Sequence, residues 1–297
     1  DLAEHAGHLA SDPERRIRLR LAQGLGDGRG RTLIKALQAL LADKDVEISS
    51  EALMGLFRGD PSEWRQAVRD RLNTEGLPVA QGQRMIQYLL LLGKGSADEL
   101  RAVLSHPRPS FRVTALETLS RGWPQVVTRD FLLPLLSDPS AEVRGVVLDL
   151  LKRTSGLTGI EIQSLLESPN AEVRRAVPEL TRQLTDDAAA EIMVDLVLDD
   201  DLQCRLLALK EIGGRRLPGW QKLLQQSLRD PERSLVTTAL QALTWTGSAE
   251  ALPILNEFAQ QTKDPELRSQ AERQRRTLEF QLQAPPGMPL GPRRQAH

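Results

Sequence analysis

The chain has 297 residues, with 39 basic and 40 acidic side chains, a net charge of −1 and aromatic residues at only 3%. At 40% hydrophobic and 27% charged residues it is too apolar for a disordered chain, and it leans on Leu, Ala and Arg where a β-sandwich would lean on aromatic and β-branched residues. Residues 1–150 hold 20 charges of each sign, which argues against nucleic acid as a partner because phosphate binding draws on a basic excess.

From the N-terminus onward one phrase keeps returning. It runs SDPERRIRLRLAQGL (11–25), HPRPSFRVTALETL (106–119), DPSAEVRGVVLDL (138–150), SPNAEVRRAVPEL (168–180), DDDLQCRLLALKEI (199–212), RDPERSLVTTALQAL (229–243) and KDPELRSQAERQ (263–274). Its apolar anchor falls at Ile17, Ile48, Val79, Phe111, Val143, Val173, Cys204, Leu235 and Leu267, at spacings of 31, 31, 32, 32, 30, 31, 31 and 32. The Val79 copy, TEGLPVAQGQRMI, lacks both the Asp-Pro and the Arg and is placed by this arithmetic.

Each copy reads as two helices. Apolar residues recur at helical spacing after the Asp-Pro, as at Val143, Val147 and Leu150. Ser, Asp or Asn suits the N-cap and Pro the first turn. Glycines then break the helix, as at Gly122, Gly156, Gly213 with Gly214, and Gly247, and a shorter helix follows, such as 159–166 or 249–260. A single hairpin cannot bury its own apolar face, so neighbours must stack.

The phrase D-P-x-x-x-V-R at a period near 31 resembles the short bacterial HEAT-like repeats found in phycobilin lyases, over roughly residues 1–280. That resemblance implies an all-α fold, a right-handed α-α superhelix (solenoid) of about nine HEAT-like hairpins. It also implies that the Arg after the anchor (Arg18, Arg112, Arg144, Arg174, Arg205, Arg268) and the Asp six residues before it form a ladder between repeats. Residues 281–297, QLQAPPGMPLGPRRQAH, lose the helical period and read as a flexible Pro/Gly-rich tail.

Several residues invite a functional reading. The Arg row either holds repeats together or grips an anionic partner, most strongly around Arg174, Arg175 and Arg182. Trp123 and Trp220 follow helix-breaking turns beside arginines and Trp245 ends a long helix; with Trp64, they cap the core or form a binding edge. The binding candidates are therefore Arg144, Arg174, Arg175, Arg205, Trp123 and Trp220. RQRR at 273–276 reads as a solvated terminal cap or a grip for an acidic partner.

Catalytic constellations are missing from the sequence. Cys204 occupies an anchor position and reads as a buried core thiol. His5 and His8 lack a His-Glu pair or a third ligand, unlike the HEAT-like deoxyhypusine hydroxylases. Asp195, Asp199, Asp200 and Asp201 lack the calcium-loop pattern. No phosphate loop or G-x-S-x-G is present. No cofactor is expected.

These readings point to a non-catalytic protein-protein interaction scaffold or adaptor using a concave face, with another protein as partner. The alternatives are a nucleic-acid-binding HEAT-like protein and a bilin lyase or cofactor chaperone subunit. No apolar run approaches 18 residues, so direct membrane insertion of this segment is not expected. One cysteine fits the cytoplasm, and because the chain starts at Asp1 the periplasm stays open.

Overall fold

The computed structural model describes residues 2–25, 31–59, 61–73, 77–89, 97–154 and 156–283. Within them every regular element is a helix. The last helix runs through Gln283, so the first three residues of the tail expected from residue 281 are helical; residues 284–297 lie outside the described residues.

The chain forms two compact units, Asp1–Leu150 and Leu151–His297. The first contains α1 (Leu2–Leu9), α2 (Arg15–Gly24), α3 (Arg31–Leu40), α4 (Val46–Gly59), α5 (Pro61–Leu72), α6 (Val79–Tyr88), α7 (Ala97–Val103), α8 (Pro109–Gly122), α9 (Arg129–Leu132) and most of α10 (Ala141–Arg153). The second contains α11 (Gly159–Ser164), α12 (Ala171–Leu180), α13 (Asp186–Leu196), α14 (Leu202–Arg215), α15 (Trp220–Ser227), α16 (Arg233–Trp245), α17 (Ala251–Gln261) and α18 (Pro265–Gln283).

The even-numbered helices begin at the repeated phrase and stack on one another: α2 on α4, α4 on α6 and α6 on α8 in the first unit, and α12 on α14, α14 on α16 and α16 on α18 in the second. The phrase itself lies inside a hairpin and does not open one. Several odd-numbered helices pack best on the even helix after them, as α3 does on α4, α7 on α8 and α17 on α18, whereas α1 packs best on α3 and α5 on α4.

The anchors show why the repeat forms. Ile48, Phe111, Val143, Val173, Cys204 and Leu235 are all buried, each stabilising its layer by roughly 1.5–3 kcal/mol in the case of the larger side chains. Val79 breaks the row at 46% exposed. Helix α6 starts after Pro78, and the buried positions of its inner face are Gln81, Met85 and Ile86. Counted from the residue before the helix, Gln81 matches Phe111, and Gly82 matches Arg112. The local spacings become 33 and 30, and the arithmetic placement at Val79 is two residues off.

Glycine also acts differently from expectation. Gly213 and Gly214 lie within α14, and the left-handed turn that ends this helix is at Arg216, φ 52°. A Cβ on Gly213 would come within 2.5 Å of the Ala242 carbonyl oxygen, so this glycine lets α14 and α16 approach closely. Gly247, φ 59°, does mark a turn, directly after α16.

Candidate functional site

The most repeated polar feature is a ladder along the Asp turns. Arg112 donates through Nε and Nη2 to the two carboxylate oxygens of Asp138, at 2.8 and 2.6 Å. Arg174 does the same to Asp199 at 2.8 and 3.0 Å, Arg18 pairs with Asp43 at 2.5 Å, and Arg205 reaches Asp230 at 3.3 Å. Each bond crosses to the following repeat. With its other nitrogen the Arg ties down its own turn: Nη1 donates to the carbonyl six residues back, at Asp12, His106, Asp138 and Ser168 for Arg18, Arg112, Arg144 and Arg174. At Asp138, one of the Asp residues expected six positions before an Arg, the carbonyl thus serves that Arg, Arg144, while the carboxylate serves Arg112 of the repeat before.

The same carboxylates start the even helices. Asp138 accepts from the Ser140 N–H at 2.8 Å, Asp199 from Asp201 at 2.8 Å and Asp230 from Glu232 at 2.8 Å. Burial alone would raise the Asp138 carboxyl, but the Arg112 guanidinium and the Ser140 N–H hold it below its ordinary value. Asp199 is held low chiefly by Arg174. Bidentate pairing to a planar guanidinium fixes angle as well as distance, which suits a part that must set repeat-to-repeat register.

Where the sequence lacks a rung, the structure substitutes one. Gly82 stands at the Arg position of the third repeat, and a Cβ there would fall 2.1 Å from the Phe111 ring, so no side chain fits. The next repeat accordingly has His106 where others have Asp. Its Nδ1 accepts from the Arg108 N–H at 3.0 Å, and its Nε2 faces the Leu72 carbonyl at 3.1 Å. Gln81 reaches back to donate to the Asp43 carbonyl at 3.1 Å. The signal for both was present in HPRP and in VAQGQ, but it is legible only once the Arg–Asp geometry is known.

The candidate binding residues fall into two groups. Trp123 and Trp220 are buried, at 6% and 4% exposed, and form core, so the binding edge expected of them is absent. Arg144, Arg174 and Arg205 are buried or half-buried in the ladder. Arg175 is the exposed member, with its side chain 42% accessible, and it pairs with Asp201 at 2.6 Å. Arg182, the third basic residue of that helix, pairs with Glu211 at 2.9 Å. The local excess of positive charge read around α12 is therefore matched, pair by pair, by carboxylates on α14 and its turn.

Other expectations resolve similarly. Cys204 is fully buried, and burial, reinforced by Asp199, pushes its thiol up to about 12, the opposite of what a nucleophile needs. Among the described residues no three His, Cys, Asp or Glu side chains gather to hold a metal. In the 273–276 run, Arg275 pairs with Glu279 and Arg276 with Glu272 along α18. The Trp64 side chain lies outside the described residues. No helix among the described residues is long and apolar enough to cross a membrane.

Stacked hairpins tied by Asp–Arg rungs characterise a known repeat class, and the family model described as HEAT repeats matches residues 199–274. Over this stretch the chain resembles HEAT repeats. The stretch spans α14 to most of α18. No curated protein matches the sequence. Among solved structures, a chain of the complex in which Kap95p binds RanGDP aligns at TM-score 0.51 and 15% identity, over 97% of this chain and 46% of that one. YibA of Escherichia coli aligns at 0.46 and 15%, over 90% and 97%. Human deoxyhypusine hydroxylase aligns at 0.36 and 17%, over 82% and 95%. At 15% identity the likeness to the Kap95p–RanGDP complex chain concerns the fold alone, a helical repeat stack.

Proposed function

We propose that this chain is a non-catalytic protein-binding scaffold. The observation that carries the reading is a division of labour among its side chains. The charged groups that sequence offers as grips are engaged with neighbouring repeats, while large apolar side chains stand in solvent, among them Ile160 at 85%, Leu198 at 69% and Phe280 at 64% exposed. Exposed apolar groups beside saturated polar ones suit protein recognition and serve no hydrolytic or redox chemistry. Kap95p, which binds RanGDP according to the description of its structure, lends support by fold alone.

Of the six candidate binding residues, Arg175 is the one a partner reaches without opening the core; the other five act by holding the surface in shape. The test is chemical cross-linking of the purified chain in its native lysate, read by mass spectrometry with and without nuclease. A discrete protein that survives nuclease supports the scaffold. Recovery of nuclease-sensitive material alone, or turnover of a small substrate with no protein captured, overturns it.

A further inference from the structure

The outer side of α11 and α13 is unlike the rest of the molecule. Residues 156–170 and 183–201, which contain these helices and their flanks, hold nine acidic residues and no lysine or arginine. On α13 and the residue pair beyond it, Asp187, Glu191, Val194, Asp195 and Leu198 recur at three- and four-residue steps, and all are exposed. That stripe is one helix face. Helix α11 joins it: the Gln163 amide donates to the Asp195 carboxylate at 2.7 Å, and Ile160 stands exposed one turn before. The acidic character ends at α15 and the turn after it, which bring Lys222 and Arg229 to the surface.

Only part of this charge serves the fold. Asp186, Asp199 and Asp201 of the same segments answer Arg215, Arg174 and Arg175. Asp187 and Glu191 enter no ion pair among the described residues. Nor does the face suit a cation, since no three of its carboxylates converge. An extended negative field spread around three large apolar side chains is complementary to a polypeptide that carries cations around apolar residues.

We propose that the α11–α13 face binds a basic amphipathic segment of a partner protein. The partner's large apolar side chains cover Ile160, Val194 and Leu198, and its Lys or Arg residues meet Asp187 and Glu191. Apolar contact supplies the affinity, and charge steers encounter and rejects acidic segments. This inference rests on the scaffold reading and deepens it by naming the surface and the chemistry of the ligand.

The probe is a fluorescein-labelled 18-residue peptide with leucine and lysine at amphipathic-helix spacing, followed by anisotropy at physiological salt. Two control peptides replace every lysine with glutamate, or every leucine with serine. We expect the leucine–lysine peptide to bind saturably and both controls to bind at least tenfold more weakly. The Ile160→Ser/Leu198→Ser double variant and Glu191→Lys should each weaken binding about tenfold; all three sites are exposed, so an unchanged thermal melt is expected.

Binding by the leucine-free peptide as tight as by the parent, or undiminished binding to the double variant, overturns the proposal. If the parent protein associates with itself in sedimentation and the double variant does not, the occupant is a second copy, and the proposed partner is wrong. The cross-linking experiment separates the two claims. A lysate partner that the double variant still captures leaves the scaffold standing and sinks this face; no partner at all sinks the scaffold.

Discussion

Residues 43–112 and residues 168–236 build the same hairpins by different means. In the later stretch the turns at Asp199 and Asp230 follow one rule, with Arg174 on Asp199 and Arg205 on Asp230, and the anchors Val173, Cys204 and Leu235 are buried in register, although Ser168 takes the first Asp position and Val236 the last Arg position. In the earlier stretch Ser49 and Gly82 replace the Arg, His106 replaces an Asp, and Gln81 takes the anchor position. The difference teaches that a rung is a unit of two repeats. With Gly82 in place of the cation there is nothing for a carboxylate to pair with, and a buried unpaired carboxylate is costly. A neutral ring that accepts one backbone N–H and contacts a carbonyl fills the place instead.

The largest expected effect tests the register directly. Val143→Asp places a charge at a site 1% exposed and should cost at least about 3 kcal/mol. Val79→Asp, nominally at the same repeat position, should change stability by less than about 0.5 kcal/mol. Equal losses in chemical denaturation would restore the Val79 register.

Next in size is the pair of turn residues. Asp138→Ala strands Arg112 in a pair whose side chains are both 8% exposed and should cost about 3 kcal/mol. His106→Ala removes neutral hydrogen bonds and should cost about 1–2 kcal/mol. A larger loss at His106 than at Asp138 would contradict the view that the histidine is the weaker substitute.

A smaller contrast lies within one helix. Gly213→Ala forces α14 from α16 and should cost about 2 kcal/mol. Gly214→Ala, with nothing within 4 Å of the added carbon, should gain about 0.5 kcal/mol from helix propensity. Thermal melts of the two single variants check the sign as well as the size.

The smallest effect per residue is the response to acid. Asp199 is held below its ordinary value by Arg174, so folding binds fewer protons there than unfolding does. Its stabilisation is complete above the unfolded value near ~3.9 and fades as pH falls through the folded one. Asp199→Asn should therefore lower stability at pH 7 and flatten its loss between about pH 5 and pH 2. Denaturation midpoints across that range would show parallel curves if the pair contributed nothing.

Much of the fold was legible because the repeat tests itself. Eight of the nine anchors read near a 31-residue period fall at the same point of their helices and fix helix starts. The third repeat was misread because Val79 and Gln81 differ by two residues, within the scatter of any period. Only packing tells which of them faces inward. The candidate site was less legible. Arg174 and Arg175 are adjacent, yet one is half-buried and the other exposed, and nothing in VRRA distinguishes a rung from a grip.

The amino-acid sequence by itself determined that this chain is helical, repetitive and built on Asp turns, because helix periodicity and capping are local and act within a few residues. Tertiary structure alone decided which arginines are occupied, that Trp123 and Trp220 are core, and that α11 and α13 offer an acidic face with exposed apolar side chains. Those outcomes depend on residues about 25 to 30 positions apart meeting across a stack, and no local pattern records such a meeting.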